Sequence, residues 1–300
     1  LSADVFSQYK FDKAICINKE NGLPVDKVGA IRKSDDGFIW IATSQGLCRF
    51  DGQSVKVYKA GSDLLHFLFD DRIGPILPVK NFIWTGTTQG ISVLDTKKNT
   101  FKHYQFENYK KADTIKKRFD QGIPVLYRDR SGTIWIGTNR WGVCAYDEKK
   151  DDFRFYSFSR ERYPRLVPTV GSDNSILSIT ESPANDSIIW AGTPGGLQKI
   201  NKYTGEVKLY SFPQKDNDYQ IALNAFLRVY EHDDGLLYVG SWAAGVNVFD
   251  PVAETFTPLV IKSDTGRKLF NGPVGNITRK SDHELWISTG IGLAIYDIRL

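Results

Sequence analysis

"GFIWIATSQGLCRFDG", residues Gly37 to Gly52, joins an apolar run, a Gly-Leu step and an Asp-Gly turn in one short stretch. The pattern returns as "NFIWTGTTQGISVLD", "GTIWIGTNRWGVCAYD", "SIIWAGTPGGLQKIN", "GLLYVGSWAAGVNVFD" and "ELWISTGIGLAIYD". Its anchor aromatics are Trp40, Trp84, Trp135, Trp190, Tyr238 and Trp286, spaced 44, 51, 55, 48 and 48 residues apart. Internal periods of this size mark solenoids, propellers or arrays.

Each copy reads as four short strands. The first runs "KVGAIRK", a turn at "SDDG", "FIWIAT", a turn at "SQG", "LCRFD", and then "SVKVYKA". Gly37, Gly132 and Gly235 stand where a tight turn after Asp calls for positive φ, which glycine adopts without steric cost. Neighbouring apolar residues in the Trp strands predict burial on both faces. A four-stranded sheet flanked by its own copies is a propeller blade, so the fold class is all-β, a β-propeller of antiparallel blades with six repeats visible. Residues 1–300 are read as one propeller domain.

The fourth strand carries a second motif: "FKHYQF" and "FRFYSF" share Phe-x-x-Tyr-x-Phe, and "VKLYSF" is a variant. Residues 6–11, "FSQYKF", are such a strand with no blade before them, and the last copy stops at Leu300 before its own fourth strand. Phe6 to Phe11 is therefore expected to complete the Trp286 blade, which removes an open sheet edge. A seventh blade beyond Leu300 is the alternative.

Composition agrees. The 300 residues are 41% hydrophobic with 26 Gly, and no apolar stretch reaches the roughly 18 residues of a membrane span. The net charge of +4 and the lack of a recognisable module argue against nucleic-acid binding. Cys16, Cys48 and Cys144 lack metal-ligand spacing and read as small core residues.

"NGLPVDKVGAIRKSDDGFIWIATSQGLCRFDG" closely resembles the first repeat of the two-component-regulator propeller family, and the likeness extends over about residues 6 to 300. The departures are six repeats where that family usually has seven, and a fourth copy ending in "KIN" where the others have an Asp turn. The resemblance implies the periplasmic sensor region of a hybrid two-component system of the type known from gut Bacteroides. In such proteins two propellers precede a β-sandwich, a membrane helix and a histidine kinase, and the sensor detects an oligosaccharide to control glycan-utilisation genes. It further implies an inner-membrane anchor, a homodimer, a second propeller and β-sandwich as partners in the same chain, and no enzyme activity in this part.

Fold alone does not license function. Four antiparallel strands per blade place the fourth-to-first connections and the second-to-third turns on one face. The connections, roughly residues 58–73, 107–123, 159–175, 213–224 and 258–273, are long, and such loops on a rigid scaffold carry binding. There the candidate ligand residues gather: Lys117 and Arg118, the turn pair Arg140 and Trp141, then Arg160, Arg162 and Arg165, with Trp242 two copies on. Exposed Trp stacks on sugar rings and Arg grips carboxylate or sulfate through paired hydrogen bonds, so an oligosaccharide, an acidic one included, fits this set. The plainer reading is solvated charges and Trp side chains folded over blade junctions. His66, His103, His232 and His283 fall on different parts of the blades, so no catalytic or metal-binding residue and no cofactor is expected. A protein-interaction scaffold is the alternative function, and a propeller lyase or hydrolase ranks below it.

Overall fold

Short apolar runs broken by Asp and Gly leave strands as the only economical use of this chain, and the computed structural model is built of them. It describes residues 16–105, 122–158, 174–212, 225–259, 272–290 and 292–299. The first blade comprises β1 (Val28–Lys33), β2 (Ile39–Thr43), β3 (Gly46–Phe50) and β4 (Val55–Tyr58). The second has β5 (Ile73–Val79), β6 (Phe82–Thr87), β7 (Ile91–Asp95) and β8 (Thr100–Tyr104). The third has β9 (Val125–Arg128), β10 (Ile134–Gly137), β11 (Val143–Asp147) and β12 (Asp152–Tyr156). The fourth has β13 (Ser178–Glu181), β14 (Ile188–Thr193), β15 (Gly196–Asn201) and β16 (Val207–Tyr210). The fifth has β17 (Phe226–Glu231), β18 (Leu237–Ser241), β19 (Val246–Asp250) and β20 (Thr255–Pro258), and the sixth β21 (Val274–Arg279), β22 (Glu284–Thr289) and β23 (Gly292–Asp297). Every sheet is an antiparallel meander, four-stranded in the first five and three-stranded in the sixth among the described residues. The first strands of successive blades lie side by side, β1 against β5 and so on to β21. The fold is a β-propeller.

Five of the six anchor aromatics pack against the next blade. Trp40 packs with Ile76, Ile83 and Leu94 of the second blade, and Trp84 with Ile134, Ile136 and Cys144 of the third. Trp135 meets Ile179, Ile189 and Ile200; Trp190 meets Val229, Val239 and Phe249; Tyr238 meets Ile277 and Ile287. These five anchors are buried, as their sequence pattern predicts. Trp286 departs from the pattern, being only half-buried. No described residue supplies the next sheet, or the fourth-strand Tyr that stands beside the first four anchors, and the adjoining Leu293 and Ile295 are 65% and 49% exposed. At the opposite end of the series Ile31 is 55% exposed. The expected closing strand, Phe6 to Phe11, lies outside the described residues.

The turns follow the sequence reading closely. Gly37, Gly132 and Gly235 have φ of 90°, 92° and 81°. Asp51, Asp95, Asp147 and Asp250 each accept backbone N–H bonds from residues two and three ahead, the Asx turn. Asn201 of "KIN" accepts from Tyr203 and Thr204 in the same way, so that departure from the repeat is chemically silent. Cys48 and Cys144 are buried; Cys16, expected in the core, is exposed because it precedes the first blade. Burial pushes the Cys48 thiol up to about 11.

The fourth-strand motif becomes a clamp between blades. Tyr58, Tyr104, Tyr156 and Tyr210 stand beside the Trp of their own blade, with ring centroids 5.9, 6.0, 5.3 and 6.3 Å apart. A base two residues earlier, Lys56, Lys102, Arg154 or Lys208, lies over the Tyr ring. That same base reaches the third-to-fourth turn of the next blade: Asn99, Asp151, the Tyr203 carbonyl and Glu254 respectively.

A buried ion cluster joins the third and fourth blades on the face away from the long connections. Lys202 Nζ lies 3.1 Å from Asp129 and 3.0 Å from Glu181, and the three side chains are at most 9% exposed. Arg130 donates its backbone N–H and Nε to Glu181, and Trp135 Nε1 donates to Asp129. Burial alone would raise both carboxyls, but these donors outweigh it and hold them below their ordinary range.

Candidate functional site

The face predicted to carry the long connections is held together by backbone hydrogen bonds. The Gly46 N–H donates to the Asp71 carbonyl, Ile123 to that of Thr87, Asn139 to that of Gly122 and Trp242 to that of Ala225, so the second-to-third turns of the first, second, third and fifth blades are each tied to a connection. Four first strands begin with a register break, at Gly29, at Gly74 and Pro75, at Leu227 and at Gly275. Such bulges bend a strand and re-aim its groups. At Gly86 a Cβ would lie 2.5 Å from the Ile123 carbonyl, so only glycine lets the third blade's entry pass there.

Between the first three blades the bulges at Gly29 and Gly74 border a cleft of about 520 Å³. Its walls include Lys27, Ser44, Arg72, Thr88 and Asn139, with Gly29 and Gly74 contributing bare backbone. No carboxylate among the described residues lines it. Behind the wall sits Asp70, buried, which accepts the Arg72 backbone N–H at 3.0 Å, Arg72 Nε at 3.4 Å and Nη2 at 3.3 Å, and the Thr88 hydroxyl. Burial would raise Asp70, yet these donors hold its carboxyl below the ordinary range. The Arg72 side chain stays 54% exposed, so a charged and buried Asp orients a guanidinium whose remaining edge is open. Clefts of roughly 300–1,000 Å³ with a few convergent polar groups are the usual form of a small-ligand site.

The residues singled out from the sequence divide differently. Arg140 and Trp141 occupy the turn beginning at Asn139, beside the cleft. Trp141 is half-buried against the Trp84 and Ile136 cluster, with the Arg140 guanidinium 5.4 Å from its ring centroid. Its N–H donates to the Thr138 hydroxyl at 2.7 Å and its carbonyl accepts from Ser157 at 2.9 Å, so the pair covers a blade junction while bordering the mouth. Trp242 is 56% exposed on the fifth blade, away from the three blades that form the cleft. Lys117, Arg118, Arg160, Arg162 and Arg165 lie outside the described residues. Asp70, Arg72 and Lys27 were missed by sequence reasoning. The available signal was an Asp-Asp-Arg run ending the 58–73 connection, but its neighbours across the cleft come from other copies.

The histidines do not converge. His66 pairs with Asp63 at 2.7 Å, and His103 lies between Ser92 and the Leu64 carbonyl. His232 is buried by the opposite-face turns and bonds the Asp282 carbonyl at 3.0 Å.

Residues 118–140, which contain the third Trp strand, match the model of the two component regulator propeller. Two similar solved structures come from B. thetaiotaomicron. The extracellular domain of the hybrid two component system BT3049 is 22% identical with a TM-score of 0.70, over 95% of this chain and 35% of that one. The corresponding domain of BT4673 is 17% identical with a TM-score of 0.58, over 94% and 39%. PorZ, a surface component of the type-IX secretion system of Porphyromonas gingivalis, is 13% identical with a TM-score of 0.60, over 91% and 38%. The chain thus spans well under half of each of these proteins. No curated protein matches it. No described helix is long and apolar enough to cross a membrane.

Proposed function

We propose that this chain is a ligand-sensing propeller in the periplasmic region of a membrane-anchored hybrid two-component sensor, and that it recognises an oligosaccharide on the long-connection face. The observation that carries this is the cleft between the first three blades, adjoining the segment that matches the family model. Its size suits one or two sugar rings, and its described walls offer hydroxyl, amide and cationic groups without a convergent acid-base pair among the described residues, which favours binding over catalysis. A second propeller, a β-sandwich and a second copy of the chain complete the proposed sensor, whose output is control of glycan-utilisation genes.

The alternative, a protein-interaction propeller, draws on Leu64, Leu65 and Phe67, which are 42%, 54% and 43% exposed on one rim. A glycan array probed with this chain and with its full-length protein separates the two. Saturable binding of one oligosaccharide class supports sensing. Full-length protein that ignores every glycan while Leu65→Asp abolishes a protein contact supports the alternative.

A further inference from the structure

We infer that the cleft between the first three blades seats an anionic group of the ligand, a carboxylate or a sulfate on a sugar ring, with Arg72 and Lys27 as its counter-charges; this rests on the sensing reading above. Three features converge. Among the described residues, the cleft wall contains two cations and no acid. Arg72 is positioned by the buried Asp70, which takes Nε and Nη2 and leaves Nη1 without a partner among the described residues. A fork fixed along one edge presents its other donors in a set direction, which is how Arg recognises oxyanions with geometric selectivity. Lys27, exposed on the approach to β1, forms no ion pair with any described carboxylate and supplies a second charge from the neighbouring blade.

The surrounding groups set the chemical class. Ser44, Thr88 and Asn139 are uncharged hydrogen-bonding side chains suited to ring hydroxyls. Gly29 and Gly74 let a ring approach the backbone. The proposed occupant is therefore one acidic sugar residue within a longer chain, whose neighbouring rings extend toward Trp141.

The test is a titration of the isotope-labelled chain with glucuronate, glucose 6-sulfate and glucose, followed by amide shifts at Gly29, Gly74, Thr88 and Gly122. The carboxylate and sulfate arms separate the two sources of anion. Saturable shifts with either acidic sugar, and none with glucose at equal concentration, are expected. Lys27→Met should weaken the response about tenfold, and so should the double variant Asp70→Asn with Arg72→Gln, which removes the guanidinium without stranding a buried charge. Both variants should melt near the parent temperature. No saturable shift at these amides with either acid overturns the inference, as do parent-like titrations in both variants. If the array finds an oligosaccharide whose binding ignores both variants, the anion seat is wrong and sensing stands. If acidic sugars fill the cleft and no oligosaccharide binds, the seat is right and oligosaccharide sensing is wrong.

Discussion

Glu231 is poorly provided for as a carboxylate. It is buried at the junction of the fourth and fifth blades, one oxygen accepts from Ser182 at 2.7 Å, and the other has no partner among the described residues. Burial pushes its carboxyl up, against the smaller pulls of the Ser182 hydroxyl, the neighbouring Trp190 indole and the charges of Lys199 and Arg130. A carboxyl raised in the folded state loses stability as pH climbs from the unfolded value of about 4.3 through the folded one. Glu231→Gln should therefore melt higher than the parent at pH 7, with the gain vanishing near pH 4; equal gains at both pH values would contradict this account. Lys202 is the opposite case. Burial would lower its ammonium, but Glu181 and Asp129 more than compensate and raise it. Lys202→Met leaves the buried Asp129 without its cation and Glu181 with Arg130 alone, and should cost about 3–5 kcal/mol in denaturant unfolding at pH 7. Since Asp129 and Glu181 are held low, the parent keeps their contribution above about pH 4 and loses it as pH falls through their folded values. The Lys202→Met deficit should accordingly shrink in acid.

At the level of the strand, what repeats within a copy was legible and what joins copies was not. The Trp strands and the Asp turns recur with the period, so the blades could be drawn from the sequence. The basic residue two before each fourth-strand Tyr also recurs, but its partners are Asn99, Asp151, a carbonyl and Glu254, which share position and not chemistry. Position is visible only after the blades are stacked. Asn99, Asp151 and Glu254 share φ of 54°, 55° and 56°, a conformation Asn and Asp tolerate better than Glu. The clamp has unequal parts. Lys208 and Glu254 form an exposed pair, so Lys208→Ala should cost under about 1 kcal/mol. Tyr210 is 7% exposed beside Trp190 and Phe249, so Tyr210→Ala should cost about 3–5 kcal/mol. Urea unfolding of the two variants checks the ratio. The cleft escaped sequence reasoning for the same reason as the clamp: Lys27, Arg72 and Asn139 belong to three different copies.

For the whole molecule the question is how the series of blades ends. Ile31 at one end and Trp286, Leu293 and Ile295 at the other present apolar faces where internal blades are covered. Our proposal remains that Phe6 to Phe11 pairs with β23 and completes the Trp286 blade. Deleting residues 1–12 should then lower the melting temperature and shift Trp emission to the red; unchanged melting and emission would exclude it. Between the ends, six similar sheets present a chain with a problem of identity, because any blade could dock on the wrong neighbour. Shape discriminates poorly among near-copies. The Lys202 cluster discriminates well: the residues matching Lys202 in the second, third, fifth and sixth blades are Thr96, Glu148, Pro251 and Ile298, and none could satisfy Asp129. A wrong neighbour would strand a buried carboxylate, so the cluster works as an address written in charge, and its yield is fidelity of assembly more than depth of stability. Replacing Asp129, Glu181 and Lys202 together with Asn, Gln and Met should leave the melting temperature within a few degrees while raising the fraction of chains that refold into oligomers.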